Sequence, residues 1–247
     1  MPENDAYAQS NYSIRCEWGL RGVEKLAPEC DVIIIIDTLS FSTCIDVAVS
    51  RGAIIFPYRF KDHTVAEFAL SQNAIAADHR EAGGYSLSPA SYINVEQGTR
   101  VVLPSPNGAT LSLGTQGKPT IAGCLRNAKS VAQAAMKLGA QIGVIPAGER
   151  WHDNTLRPAI EDLLGAGAII SELGGSPSPE ALVACATFEH FRNRLPTTLF
   201  ECVSGLELTE RGYPTDIEFA SQHNISDAVP MLKDGAYVNI RSEVFPL

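Results

Sequence analysis

The sequence predicts an α/β fold: a mixed sheet, at least partly parallel, with helices on both faces and a helical C-terminal portion. Three observations predict it. Between residues 31 and 147, strand-like and helix-like stretches alternate. The strand-like stretches are continuous apolar runs, the pattern of strands buried on both faces, rather than alternating ones with one face in water. The 247 residues are 45% hydrophobic and 19% charged, enough for a full core in one folding unit. A single α/β domain spanning residues 1–247 is therefore expected, with room for two lobes. The breaker "GGSPSP" at 174–179 is too short to separate folding units, and there is no internal repeat or low-complexity tract.

Taken in order, "YSIRCEW" followed by "GLRGVEKLA" reads as an edge strand and helix. "DVIIIIDTL" at 31–39 is the most hydrophobic strand, and "FSTCIDVAVSRG" starts a helix directly after it. Further strands are expected at 53–59 (AIIFPYR), 73–78 (NAIAAD), 99–104 (TRVVLP), 119–125 (PTIAGCL) and 140–148 (AQIGVIPAG). The clearest helix is "NAKSVAQAAMKLG". There Ala128, Val131, Ala132, Ala135 and Leu138 fall on one face, and Gly139 supplies the stop. From about residue 156 the pattern is mainly helical, with "AYVNI" at 236–240 a candidate late strand.

Composition excludes several classes. A net charge of −9 and no Lys/Arg cluster argue against nucleic acid, whose phosphates need such clusters. An anionic small molecule remains compatible, because a local site can be positive inside an acidic protein. No apolar stretch approaches the ~20 residues that span a bilayer, so no membrane partner is expected. The polar start "MPENDAYAQSNYS" lacks the basic and apolar blocks of a signal peptide. Six scattered cysteines without a C-x-x-C pair read as buried free thiols, and a cytoplasmic location is expected. Oligomeric state is not legible, and a homodimer stays open.

Ligands of open α/β sheets bind beyond the carboxyl ends of strands, so the strand ends are where chemistry is expected. Asp37 ends the first strong strand in a turn with Thr38, Ser40, Ser42 and Thr43. On one reading, Ser40 or Ser42 caps the next helix and Asp37 favours its positive end. On the other, Ser42, Thr43 and free amides face an anion while the acid holds a cation. An aspartyl-phosphate mechanism would place a second acid two residues on, and that position is Leu39. "LPSPNGAT" places Asn107-Gly108 in a turn that either only reverses the chain or forms an amide nest for oxyanions. Arg126 and Asn127 follow another strand, where Arg126 either clamps an oxyanion or faces solvent. Ala147-Gly148 ends a strand before a polar loop, and Glu161-Asp162 open an apolar helix. Consecutive helix positions point about 100° apart, so one of these acids is expected to face the site while the other caps or pairs. "GAGA" at 165–168 lies inside that helix and reads as close packing, not as a dinucleotide loop. Walker, zincin, G-x-S-x-G and EF-hand motifs are absent, and the five histidines show no ligand spacing.

The blocks "DTLSFST", "ADHREAGGYSLSPASY", "LPSPNGAT", "GCLRNA", "IPAGE" and "IEDLLGAGAI" occur in one order. That order and spacing resemble the 2-phosphosulfolactate phosphatase family (ComB-like). Its members show D-V-L-R-A-[ST]-[ST]-T, a G-E-R element followed by N-S-P, T-T-N-G-T, G-S-x-x-N-A, an A-G and an E-D-x-x-x-A-G helix. The likeness runs from about residue 30 to 170. It implies a three-layer α/β/α fold and a magnesium-dependent phosphatase that converts 2-phospho-3-sulfolactate to sulfolactate and phosphate. It also implies that Asp37, Asp78, Glu161 and Asp162 supply metal ligands and, apart from Asp78, catalytic groups. Ser88, Asn107, Gly108 and Asn127 match the family's polar turn residues, with Ser42, Thr43, Arg126 and Gly148 as further candidate contacts to the substrate.

The chain also departs from the pattern. Ser40 stands for the family Arg and Phe41 for a small residue, Asp78 for the G-E-R glutamate, and Pro146 where Cys is frequent. The segment before Ser88-Pro89 is shortened and has no Asn, and T-T-N-G-T reads Ser105-Pro106-Asn107-Gly108-Ala109. Loss of a desolvated Arg at an anion site costs ~2–5 kcal/mol of binding. The alternative is therefore a non-catalytic descendant that binds a metabolite or a partner. Convergence of Asp37, Asp78 and the Glu161/Asp162 pair would favour catalysis, and a Phe41 side chain plugging the site would favour binding.

Overall fold

The structure is a computed structural model that describes residues 6–245; the first five residues of the polar N-terminal stretch and the last two of the chain lie outside it. Strand β1 (Ile14–Cys16) and helix α1 (Gly19–Leu26) lead into β2 (Val32–Ile36), α2 (Phe41–Ser50), β3 (Ile54–Tyr58), α3 (Thr64–Ser71) and the two-residue β4 (Ile75–Ala76). Then come β5 (Arg100–Pro104), α4 (Gly108–Ser112), β6 (Thr120–Gly123), α5 (Ala128–Leu138) and β7 (Ile142–Pro146). A small ribbon, β8 (Glu149–Arg150) and β9 (Leu156–Arg157), precedes α6 (Ile160–Ile170). Four helices follow: α7 (Pro179–Phe191), α8 (Leu195–Glu201), α9 (Val203–Glu210) and α10 (Pro214–Ala220). The chain returns through β10 (Pro230–Lys233), β11 (Ala236–Asn239) and α11 (Arg241–Val244).

Among the described residues, nine strands form one sheet in the order β1-β7-β2-β6-β10-β11-β3-β5-β4. β1, β7, β2 and β6 pair in parallel, as do β3, β5 and β4. The β10–β11 hairpin joins the two blocks by antiparallel pairs, Met231 with Ile121 and Tyr237 with Ile55. The expected edge strand is β1, and the expected late strand is β11, placed in mid-sheet rather than at an edge. The expected three-layer arrangement is the one observed: a mixed sheet with helices over both faces.

β2 explains the centre of the molecule. Every residue from Val32 to Ile36 is fully buried, and the side chains divide between two cores: Val32, Ile34 and Ile36 pack with α5, α6 and α7, while Ile33 and Ile35 pack with α1 and α4. A strand packed on both faces needs an unbroken apolar run, which is what "VIIII" supplies. Helix α6 crosses the end of β2 with almost no clearance. A Cβ on Gly165 would lie 2.8 Å from Ile36 Cγ2, and one on Gly167 would lie 2.1 Å from the Ala184 carbonyl oxygen of α7. Close packing is thus the reason for the small residues of "GAGA".

Pairing parity gives the two parallel blocks opposite senses, because three antiparallel steps lie between β6 and β3. From β2 to β5 the sheet takes five strand steps. At about 20–25° of twist each, these accumulate roughly 100–125°. Twist therefore turns opposed blocks toward one another, and the loops after β2 and β5 meet: the Gly108 amide lies 2.9 Å from Asp37 Oδ2.

Candidate active site

Asp37 leaves β2 with its carboxylate fixed from two sides. Oδ1 accepts the Phe41 amide at 3.2 Å, the first residue of α2, and Oδ2 accepts the Gly108 amide. The helix cap is thus Asp37 itself; Ser40, at the cap position, makes no capping bond. Ser42 Oγ accepts the Asp37 amide at 2.9 Å, and Thr43 Oγ1 donates to the Thr38 carbonyl at 2.7 Å. Both hydroxyls are fully buried and knit the turn rather than facing a ligand. The Phe41 ring lies in the core beside Tyr237, under Gly108, where a Cβ would come within 2.1 Å of it. It underpins the site and does not plug it.

Asp162, in the first turn of α6, accepts the Thr38 amide at 2.7 Å and the Gly148 amide at 2.8 Å. It pins the loops after β2 and β7 to each other. Gly148 has φ +68°, and a Cβ there would meet the Arg157 carbonyl at 2.9 Å, so glycine is required. Glu161 is buried as well, but no amide of the described residues donates to its carboxylate. Instead it neighbours the Cys202 thiol, which burial and then Glu161 push up to about 12. Of the two acids, Asp162 is the one that accepts backbone amides.

Glu149 completes the cluster and was missed by sequence reasoning, although it directly follows the strand-ending Ala147-Gly148. Its Oε2 accepts Asn107 Nδ2 at 2.9 Å. Burial, then Asp37 and Glu161, push its carboxyl up to about 7, against the pull of Arg157 and Asn107. Burial pushes Asp37 up to about 6 with help from Glu161, while the Phe41 and Gly108 amides and Lys61 work the other way. Asp162 is raised well above the carboxylate range, by burial first and then by Glu161 and Asp37. Asp37, Glu149, Glu161 and Asp162 thus repel one another in a common desolvated space. Lys61, just after β3, is the cation facing Asp37 and Glu149, and it too carried no sequence signal.

The other expected residues lie elsewhere. Asp78 is exposed near edge strand β4, its Oδ1 turned onto the His79 amide at 2.7 Å. It does not join the other three acids, because its carboxylate is exposed and turned onto the backbone of the next residue. Arg126 Nε pairs with buried Asp46 at 2.8 Å, and its Nη1 reaches Gln222, so it ties α2 to the helical tail rather than clamping an anion. Asn127 caps its own turn through the Cys124 amide at 2.9 Å. Ser88 donates to Asp216. Among the described residues, no three His, Cys, Asp or Glu side chains stand close enough together to hold a metal ion between them.

The family model described as 2-phosphosulpholactate phosphatase matches residues 22–235. A probable 2-phosphosulfolactate phosphatase of Carboxydothermus hydrogenoformans is 29% identical, over 88% of this chain and 93% of its own. A 2-phosphosulfolactate phosphatase of Methanothermobacter thermautotrophicus is 28% identical, over 82% of this chain and 87% of its own. A probable 2-phosphosulfolactate phosphatase of Thermotoga maritima is 25% identical, over 85% and 92%. The family model's match includes the strand ends that carry Asp37, Asn107-Gly108, Gly148 and Glu161-Asp162, and this chain belongs to the 2-phosphosulpholactate phosphatase family.

Proposed function

We propose that this protein is a magnesium-dependent phosphatase that hydrolyses 2-phospho-3-sulfolactate, or a small organic phosphate closely like it, to the free alcohol and phosphate. The observation that carries the reading is the cluster of buried Asp37, Glu161 and Asp162 with half-buried Glu149 at converging strand ends, in a chain of this family. Four mutually repelling carboxyls, relieved by backbone amides, Asn107 and the cations Lys61 and Arg157 and yet still raised at Asp37, Glu149 and Asp162, call for a further positive charge. The donors are hard oxygens, which suit Mg²⁺. That ion keeps several waters and takes one or two carboxylates plus substrate phosphate, so a three-acid cage is not required. Asp37 and Glu161 are the acids that would hold it. When bound, magnesium neutralises phosphate charge and polarises a phosphoryl oxygen.

The remaining roles belong to the chain's own groups. Asp162 holds the turn after β2 and the Gly148 loop in register, as a positioning residue. Glu149, with a carboxyl near 7, is matched to taking a proton from the attacking water at neutral pH, and Asn107 orients it. Lys61 offers an ammonium to the phosphate. All six cysteines are unpaired, and no described helix is long and apolar enough to cross a membrane, which supports a cytoplasmic setting.

Phosphate release from a panel of organic phosphates, with and without magnesium, tests the reading. Magnesium-dependent turnover of 2-phospho-3-sulfolactate is expected, lost by about 100-fold or more in Asp37→Asn and Glu161→Gln. No release from any compound by the magnesium-loaded wild type would overturn it in favour of a non-catalytic binding protein.

A further inference from the structure

A cavity of about 380 Å³, lined by none of the four acids, has Lys61, Arg80 and Arg211 among its lining residues and is joined to the Asp37 turn through Arg80, which reaches Ser40. Lys61 connects the two regions. Its ammonium is lowered first by desolvation and then by Arg80, while Asp37 and Glu149 pull it back up. No hydrogen bond or ion pair engages its side chain among the described residues. The acids that share the cavity wall are turned aside: Asp62 onto Thr64, Asp78 onto the His79 amide, and Glu81 onto the Tyr213 hydroxyl.

Arg80 is held unlike a surface arginine. Nε pairs at 2.9 Å with Asp216 of α10, a side chain only 2% exposed, and Nη2 bonds the Leu87 carbonyl. The guanidinium packs over the Tyr213 ring at 5.0 Å. Nη2 also reaches Ser40 Oγ at 3.4 Å. Ser40 is the position where the family pattern carries Arg, so a guanidinium from another element now stands over the turn that lost one. Nη1 has no hydrogen-bond partner among the described residues, leaving two directed N–H groups for a ligand.

We propose that Arg80, positioned by Asp216 and assisted by Lys61, is the residue that selects substrates with a second anionic group, a sulfonate or carboxylate held in this cavity while the phosphate meets the acid cluster. The proposal rests on the phosphatase reading for its kinetic form, but not for its binding form. A planar guanidinium with a fixed rear contact presents its remaining donors at low entropic cost, which an ammonium cannot match.

The test compares 2-phospho-3-sulfolactate with phenyl phosphate, which has no second anion, in wild type, Arg80→Ala, Arg80→Lys and Asp216→Asn. KM for 2-phospho-3-sulfolactate is expected to rise about thirtyfold in Arg80→Ala and less in Arg80→Lys and Asp216→Asn. KM and kcat for phenyl phosphate should stay within about threefold, which also shows that the variants fold. Equal losses on both substrates, or none on either, would overturn the proposal. In parallel, 3-sulfolactate is titrated calorimetrically. If the wild type hydrolyses neither ester, the phosphatase reading fails, yet 3-sulfolactate should still bind the wild type about tenfold or more tighter than Arg80→Ala and Lys61→Ala. Equal affinities would sink the Arg80 proposal by itself.

Discussion

At Gly108 a single hydrogen separates two requirements that meet at one backbone atom. Its amide holds Asp37 Oδ2, and its missing side chain leaves room for the Phe41 ring. A Cβ would stand 2.1 Å from the ring and 2.8 Å from the carboxylate oxygen, so Gly108→Ala must push one of them away. Overpacking of this kind costs about 1–3 kcal/mol, and a catalytic group displaced by about 1 Å costs on the order of 100-fold in rate. The expected result is a lowered urea midpoint together with a kcat loss of that order. Unchanged kcat would show that Asp37 is not held by this amide in the working enzyme. Asp37 and the Asn-Gly turn were legible because an acid closing an apolar strand and an N-G dipeptide are local signals. Glu149 and Lys61 were not, since a lone acid or lysine after a strand has many ordinary explanations. Only the fold reveals that their charges face Asp37.

Helix α6 shows how one element sets the spacing of the site. Asp162 pins two loops while Gly165 and Gly167 let the helix lie against β2 and α7. Gly167→Ala places a methyl 2.1 Å from the Ala184 carbonyl, which belongs to backbone and cannot rotate aside. A loss of about 1–3 kcal/mol in urea unfolding is expected, with most of the specific activity kept, because α7 moves and the pinned loops do not. A loss of activity without loss of stability would contradict this division. The small-residue stripe in α6 and the amphipathic face of α5 were readable in the sequence through their spacing. Gly139 had a different cause from the one expected. Its φ is 178°, ordinary extended backbone, and its Cβ would instead collide with Asp31 at 2.2 Å. The mid-sheet site of the β10–β11 hairpin was not readable, because pairing across more than a hundred residues leaves no trace in local periodicity.

Across the whole molecule, the adjacent ends of β2 and β7 and the start of α6 crowd four acids together while the opposed block brings Gly108, Asn107 and Lys61 to them, an arrangement that works against stability while no further counter-charge is bound. Glu149 makes the cost measurable. Its carboxyl rises from an ordinary 4.5 to about 7 on folding. Between those values the folded protein keeps a proton that the unfolded chain has lost, so stability falls as pH rises through that window. At about 1.4 kcal/mol per pKa unit, the penalty above pH 7 is at most about 3.5 kcal/mol. In chelator at pH 8, Glu149→Gln is therefore expected to melt several degrees above wild type, since about 1 kcal/mol moves Tm by 2–4 °C at this size. At pH 4.5 the two should melt together. The same variant should lose about 100- to 10,000-fold in kcat if Glu149 takes the proton from water. Added magnesium should stabilise the wild type more than the variant, because it relieves repulsion that the glutamine has already removed. A variant less stable than wild type at pH 8 in chelator would mean that Glu149 is held charged and well compensated, and the base would then have to be sought among the other acids of the cluster.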